Sequence, residues 1–147
     1  MDADELTMSQ SFFMTNILPM TLQLNLGAWG QTEKITECYR DTNELLILGG
    51  AVWGNTKKAR KNDYFVTTHN IRTPEFFWKV IIKGDGETIA WYIPNDQTAK
   101  SANIDKYLVK PSQIQTKAKI KLPEVPKAWR NKKAITSWPI PDECDPG

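Results

Sequence analysis

The sequence is poor in the residues that build metal clusters and membrane spans. It has one histidine, His69, and two cysteines that lie far apart, Cys38 and Cys144. One imidazole and two distant thiols do not make a zinc site, and any Ser/His/Asp set would have to use His69. No apolar run approaches the roughly eighteen residues of a membrane span. The glycines of Leu48–Ala51 lack the later glycine and the lysine of a phosphate-binding loop. The sequence therefore argues against zinc enzymes, P-loop proteins and helical membrane proteins.

The start of the chain and the two cysteines leave questions open. Met1–Glu5 has neither the basic region nor the apolar core of a signal peptide, so we expect none within these residues. The compartment is therefore undetermined, and secretion would require a leader that precedes Met1. Cys38 and Cys144 either form one disulfide that ties the C-terminal tail to a helix or remain two thiols.

The length and the charge distribution are compatible with a single domain that acts on phosphate. The chain has 147 residues, with six Trp, five Phe and four Tyr as bulky core material. Residues 1–55 carry seven acids and two bases, whereas residues 56–147 carry seventeen bases and ten acids. An acidic half could hold a cation and a basic half could meet phosphate, although such asymmetry also arises by chance.

Hydrophobic periodicity predicts one long helix and one short one. Within Asn25–Arg40, residues three or four apart, among them Trp29, Ile35 and Tyr39, form a stripe that would pack on a sheet. Pro111 favours the start of a shorter helix that runs through Lys117.

Strands alternate with polar loops over the rest of the domain. The longest apolar run, Leu45–Trp53, predicts a buried strand, and Lys83–Glu87 predicts a hairpin turn. We expect one domain at residues 1–122 and a Pro-rich irregular tail at 123–147. The predicted strands are Ser11–Ile17, Leu45–Trp53, Phe76–Lys83, Thr88–Ile93 and Tyr107–Val109.

The most informative stretch is Phe12–Glu33, which reads FFMTNILPMTLQLNLGAWGQTE. Two asparagines, Asn16 and Asn25, stand nine residues apart with a proline turn between them, and a Trp-containing helix with Glu33 follows. This pattern resembles the central motif of the DNA/RNA non-specific endonucleases, a family of ββα-metal (His-Me finger) nucleases. In that motif a strand ends in Thr/Ser-Asn, a Pro-Gln turn follows, and Leu-Asn-x-Gly-x-Trp opens a helix that carries a Glu.

Three further segments resemble the same family in the same order. They are the strand Leu46–Trp53 with its glycines, the segment Thr73–Ile81 with its Phe-Phe-Trp-Lys-Val core, and the strand Ile89–Asn95 that ends in Pro-Asn. The likeness covers roughly residues 9–117. It implies an α+β fold of the ββα-metal type, in which a central antiparallel sheet packs against one main helix that carries the metal-site asparagine.

The resemblance also implies roles for individual residues. Asn25 occupies the position of the Mg²⁺ (or Mn²⁺) ligand, and a neutral amide oxygen leaves the charge of the ion available to the phosphate. Glu33, about two helical turns further on, would act through a metal-bound water. Asn16 would position groups at the site, and Arg40 would contact substrate, since Glu37 stands where some members carry a substrate-facing Arg. Met20 replaces the usual Gln of the turn.

Each of these residues also has an ordinary structural interpretation. Asn25 is a favoured helix N-cap residue. Asn16 would merely hold the proline turn, and Glu33 would be a surface acid. The basic residues that could bind nucleic-acid backbone without reading sequence are otherwise solvated loop charges. They are Lys57, Lys58, Arg60, Lys61, Lys127, Arg130, Lys132 and Lys133.

The general base of the family does not appear in this sequence. The family's Asp-Arg-Gly-His lies about twenty residues before the first asparagine, and none of the fifteen residues before Asn16 is a histidine. His69 lies far along the chain and is expected to be a surface imidazole. We therefore expect either a metal-dependent endonuclease domain whose histidine belongs to a preceding segment, or an inactive pseudonuclease that binds nucleic acid or protein. A purely structural domain is the third alternative.

Overall fold

A computed structural model describes residues 18–54 and 73–146. Among the features of the sequence analysis that lie outside the described residues are the predicted strand Ser11–Ile17 with its Asn16, and His69. The basic residues Lys57, Lys58, Arg60 and Lys61 also lie outside them. None of the helices in the described ranges combines the length and the apolar character that a membrane span requires.

The main helix begins three residues earlier than predicted. It starts with a short α-helical turn, α1 (Leu22–Leu24), continues through a π-helical segment, Asn25–Trp29, and ends as α2 (Gly30–Arg40). Thr21 is the N-cap, because its hydroxyl oxygen accepts a hydrogen bond of 3.2 Å from the Leu24 N–H. The interpretation of Asn25 as the N-cap is therefore wrong, since Asn25 already lies inside the helix.

Three strands form an antiparallel sheet in the order β1-β2-β3. They are β1 (Leu45–Val52), β2 (Phe76–Lys83) and β3 (Thr88–Pro94), close to the predicted bounds. The hairpin predicted at Lys83–Glu87 is confirmed: the Gly86 N–H donates to the Lys83 carbonyl at 2.8 Å. Gly86 has a φ of 92°, a conformation that glycine adopts without steric cost.

The chain after the sheet contains less strand and more helix than predicted. A 3₁₀ helix occupies Ser101–Tyr107, where the start of a strand was expected at Tyr107. Only an isolated bridge joins Leu108 to Trp91. The predicted short helix is confirmed as α3 (Pro111–Ala118), and a four-residue helix, α4 (Lys127–Arg130), follows it.

The sheet carries a hydrophobic core on each face. Alternate residues of β2, such as Phe77 and Ile81, pack with the main helix through Ile35, with Trp29 and Tyr39 at the margin. The predicted helical stripe is therefore confirmed. The intervening residues of β2 pack with α3 and the segment after it. Because β2 and β3 are covered on both faces, their side chains are nearly all buried.

Strand β1 differs from the buried strand that its sequence predicts. It lies at the edge of the three-stranded sheet, and Leu46 and Ile47 are 43% and 44% exposed. An apolar run of this length predicts a strand correctly, but its burial depends on what the rest of the fold places over it. Among the described residues, no further strand pairs with β1.

The C-terminal segment packs on the domain. Trp138 is 8% exposed, and its ring lies 5.2 Å from that of Tyr39. Cys38 and Cys144 form a disulfide across 106 residues of sequence. Of the two alternatives for these cysteines, one disulfide or two free thiols, the structure has the disulfide. Disulfides are typical of proteins that mature in oxidising compartments. The predicted boundary at residue 122 stays a prediction.

One buried amide joins the start of the main helix to the sheet. The Asn95 side chain is fully buried, and its oxygen accepts a hydrogen bond of 2.8 Å from the Thr21 N–H. Its nitrogen donates to the carbonyls of Pro19 at 3.0 Å and Pro74 at 2.9 Å. The Pro-Asn pair that ends β3 therefore fixes the turn from which the helix departs.

The whole is an α+β domain with a three-stranded antiparallel sheet, compatible with the predicted fold class. The ββα-metal arrangement itself stays a prediction, because the predicted first strand, Ser11–Ile17, lies outside the described residues.

We predict that Asn95→Ala lowers the free energy of unfolding by about 3 kcal/mol or more, because it leaves three backbone groups without their buried partner. Urea denaturation measures the change. The matched control is Asn103→Ala, whose amide makes one exposed hydrogen bond to the Thr98 carbonyl. It should cost about 1 kcal/mol or less. Equal losses in the two variants would show that Asn95 does not anchor the helix.

Candidate active site

Asn25 lies on the exposed side of the main helix, in its second turn. Its backbone N–H donates to the Thr21 carbonyl at 2.9 Å, as in a regular helix. Its side chain is exposed, and within the described ranges no hydrogen bond engages the amide. Leu22 and Leu26 beside it are 71% and 73% exposed. The amide is therefore free to bind a ligand from solvent.

The helix is deformed immediately after Asn25. Gly27 has non-helical dihedral angles, φ −94° and ψ −112°, and the next N–H, that of Ala28, donates to the Ala99 carbonyl at 2.9 Å. A Cβ on Gly27 would collide with this carbonyl oxygen, so the close approach requires glycine. π-Helical segments often mark functional sites. The angular offset between Asn25 and Glu33 consequently differs from that of a regular α-helix.

Glu33 is an exposed carboxylate that is held by a neighbouring ring. One of its oxygens, Oε1, accepts a hydrogen bond of 3.0 Å from the Trp29 indole Nε1–H, one helical turn earlier. The ring of Trp29 packs edge-on against Phe77, with centroids 5.6 Å apart. The carboxylate is therefore oriented by a side chain that is itself packed on the sheet.

Lys79 is a buried cation beneath this pair. It stands at the centre of β2 on the helix-facing side and is only 6% exposed. Its Nζ lies 4.1 Å from the centroid of the Trp29 ring. Burial lowers the pKa of Lys79 from 10.5 to about 8, and the negative charge of Glu33 partly opposes that fall.

Arg40 lies at the last residue of the helix, seven residues beyond Glu33. Its guanidinium forms ion pairs with Glu37 and, at 3.7 Å, with Asp41, and its side chain is 59% exposed. Arg40 was expected to replace the substrate-facing Arg that some members carry at the position of Glu37. In the structure Arg40 forms an ion pair with Glu37 itself. The substrate contact of Arg40 stays a prediction.

The basic residues in and beside α4 do not share the face of the sheet that carries Asn25. Lys127 and Arg130 belong to α4, and Trp129 of the same helix packs with the core on the opposite face. Lys132 Nζ lies 4.6 Å from the centroid of the Trp129 ring. A nucleic-acid strand bound at Asn25 would therefore have to pass around the domain to reach these charges.

The donor set fits a hydrated divalent cation rather than a protein-enclosed one. Among the described residues, no group of three His, Cys, Asp or Glu side chains comes together. Mg²⁺ commonly keeps several waters and takes one or two protein oxygens, with substrate phosphates completing the octahedron. The unengaged Asn25 amide oxygen is an oxygen of the kind such an ion takes, and the Glu33 carboxylate lies eight residues further along the same helix.

Sequence reasoning assigned no role to two residues that matter here. Asn95 was noted only as the end of a Pro-Asn strand, and Lys79 only as part of a Phe-Phe-Trp-Lys-Val segment. The sequence does mark Lys79 as unusual, because it stands inside an otherwise apolar strand of eight residues. A lysine in such a position is rarely buried without a partner. Its partner, Trp29, is fifty residues away and could not be identified from the strand.

The family model described as DNA/RNA non-specific endonuclease matches residues 1–127. A search of curated proteins finds no match.

We predict that Lys79→Met stabilises the protein at pH 6 and that this advantage shrinks as the pH rises. Below pH 8 the folded state bears the cost of a buried charge. Between about 8 and 10.5 the folded state releases the proton while the unfolded chain keeps it, so the stability of the wild type rises with pH. The difference in unfolding free energy should fall by about 1–2 kcal/mol between pH 6 and pH 9. Denaturation of both proteins in the same buffers measures it, and a difference that does not vary with pH would contradict the burial of a charged Lys79.

Proposed function

The chain belongs to the DNA/RNA non-specific endonuclease family, and on that premise we propose that it is a nuclease domain that hydrolyses phosphodiester bonds in DNA and RNA with the help of Mg²⁺ or Mn²⁺. Nucleic acid is the substrate class that the family implies, and the family is generally dependent on divalent metals. The observation that carries the proposal is the pair on one helix: an exposed, unengaged Asn25 amide and a Glu33 carboxylate held by Trp29.

The residues of the chain would divide the work as follows. Asn25 would hold the ion through its amide oxygen, and Glu33 would orient the ion's hydration shell. When bound, the ion supplies charge neutralisation to the phosphate and stabilises the leaving oxygen. A neutral ligand and one carboxylate leave most of the cationic charge available to the substrate. Asn16 would position groups beside Asn25.

Recognition of the substrate would depend on its backbone. Phosphate contacts position a nucleic acid without reading its sequence, and the exposed Arg40 at the end of the helix is suited to such a contact. The C-terminal bases Lys127 and Arg130 of α4, and Lys132 beside Trp129, lie on the other side of the sheet, where they would meet only a longer strand. We therefore propose binding without discrimination between DNA and RNA or between sequences.

The general base is the part of the machinery that the described residues do not supply. The chain has one histidine, His69, which lies outside them. We propose that efficient cleavage needs the histidine of a preceding Asp-Arg-Gly-His segment. The same observation favours a second candidate, a pseudonuclease that binds nucleic acid or protein and does not cleave.

We predict that Asn25→Ala weakens Mg²⁺ binding in the presence of an oligonucleotide by about tenfold or more, because it removes the protein ligand of the ion. Calorimetry with a non-hydrolysable phosphorothioate oligonucleotide measures the affinity. The matched control is Asn131→Ala, an exposed asparagine at the end of α4 on the other side of the sheet. Unchanged Mg²⁺ affinity in Asn25→Ala would remove Asn25 as the ligand.

We predict that the 147-residue chain nicks plasmid DNA slowly. A positioned general base contributes about 10²–10⁴-fold to the rate. Preceding the chain with a segment that carries Asp-Arg-Gly-His should raise Mg²⁺-dependent nicking by a factor in that range. His69→Ala in the 147-residue chain is the control and should change nothing. Fast nicking by the 147-residue chain, abolished in His69→Ala, would show that His69 is the base and that the expected role of the missing motif is wrong.

A further inference from the structure

The buried Lys79 has no direct carboxylate partner to explain its position. Within the described ranges, no carboxylate oxygen comes within the 4.0 Å of an ion pair with its Nζ. What lies against the ammonium is the face of the Trp29 ring, at 4.1 Å from the centroid. The Nε1–H of that same ring is the group that holds the Glu33 carboxylate, at 3.0 Å. Lys79, Trp29 and Glu33 therefore form a chain of contacts that ends at the exposed acid.

A second lysine on the same strand shows the ordinary arrangement. Lys83 also points to the helix-facing side, and its Nζ lies 4.9 Å and 4.2 Å from the ring centroids of Tyr39 and Trp138. It additionally forms a direct ion pair of 2.6 Å with Glu87. Lys83 thus has its own counter-charge, whereas the negative charge nearest to Lys79, that of Glu33, lies at the Nε1 edge of the indole ring.

Burying Lys79 in this way costs stability. Burial lowers its pKa to about 8, which records how strongly its surroundings oppose the charged form. A methionine of similar length would fill the same space without that cost. A desolvated cation over an indole face is among the stronger cation–π contacts.

We propose that Lys79 is a positioning residue for Glu33 that acts through Trp29: the ammonium beneath the indole face fixes the ring, and the ring's Nε1–H fixes the carboxylate. The functional part of this inference rests on the function proposed above, because it gives Glu33 a reason to be held. The structural part rests on the three contacts alone. Phe77 packs against the edge of the same ring, so the experiment has to separate the effect of charge from that of packing.

Lys79→Met makes this separation, since it keeps an apolar chain under the ring and removes the charge. The readout is the NMR order parameter of the Trp29 Nε1–H in the 147-residue chain. We expect a value near 0.85 in the wild type and below about 0.6 in Lys79→Met, the range of a mobile group. Lys79→Arg retains a cation over the ring and should restore the order.

Lys83→Met is the matched control, because it removes a stacked lysine four residues further along the same strand that does not touch Trp29. The order of the Trp29 Nε1–H should not change in it. If the indole stays ordered in a folded Lys79→Met, packing against Phe77 suffices and the proposal is wrong. If Lys83→Met disorders the indole equally, the effect is general loosening and the proposal is wrong as well.

The functional consequence is tested by a double-mutant cycle on Mg²⁺ affinity in the presence of the phosphorothioate oligonucleotide. Residues that orient groups around a bound metal are typically worth about tenfold or more in affinity. We expect Lys79→Met and Glu33→Gln each to weaken binding by about that factor, and the double variant to be no weaker than Glu33→Gln alone. Additive losses would overturn the coupling.

Failure of the proposed function is recognised separately. In that case Asn25→Ala and Glu33→Gln would both leave Mg²⁺ affinity unchanged, while the indole order parameters would still decide whether Lys79 fixes Trp29 and, through it, Glu33.

Discussion

The structure depends on the hydrogen bonds that hold the start of the main helix against the chain after β3. The Asn95 amide is fully buried and makes hydrogen bonds to backbone groups of Pro19, Thr21 and Pro74. A buried amide has to be satisfied, and here the backbone groups that satisfy it belong to two segments that are distant in sequence. Four residues after Asn95, the Ala99 carbonyl accepts from the Ala28 N–H. Asn25 lies between these two attachments, so its position relative to the sheet is determined by them.

The far end of the helix is fixed by a different kind of bond. Cys38, in the last turn, is joined to Cys144, and the tail between Trp138 and this disulfide covers the Tyr39 side of the core. Closing a loop of that length removes much of the freedom of the unfolded chain. The helix is thus held by hydrogen bonds at one end and by a covalent bond at the other. Glu33 lies in the stretch between, where the contacts of Trp29 with the sheet decide how the side chains are oriented.

Sequence reasoning worked where one residue pattern decides the structure. β2 and β3 were predicted almost to the residue, because they are apolar on both faces and the turn between them requires the glycine at Gly86. The end of the helix at Arg40 was also predicted correctly. The start was not, since Thr21 caps a helical turn at residues where only a proline turn and its exit were predicted.

The features that escaped prediction are those set by tertiary contacts. The π-helical segment depends on the approach of Ala99 to Gly27, and nothing in the local periodicity contains that contact. The exposure of Leu46 and Ile47 depends on what covers β1, not on the residues of β1. For the site, the family motif identified Asn25 and Glu33 as candidates, whereas the orientation of Glu33 depends on Trp29 and Lys79, which approach each other only in the fold.

Lys79 and Lys83 are two lysines of β2 whose ammonium groups lie over aromatic rings, and they differ in how the positive charge is balanced. Lys83 is stabilised by the carboxylate of Glu87, and that pair is confined to the hairpin. Lys79 has no carboxylate within ion-pair distance among the described residues. The negative charge that partly offsets its desolvation is that of Glu33, an exposed residue on the main helix. A domain optimised for stability alone would replace Lys79 by an apolar residue, because a buried cation without an adjacent anion is costly. Local costs of this kind are commonly retained where function needs a group held in place. The location of this cost, directly beneath the ring that holds Glu33, connects the core of the sheet to the exposed face where Asn25 lies.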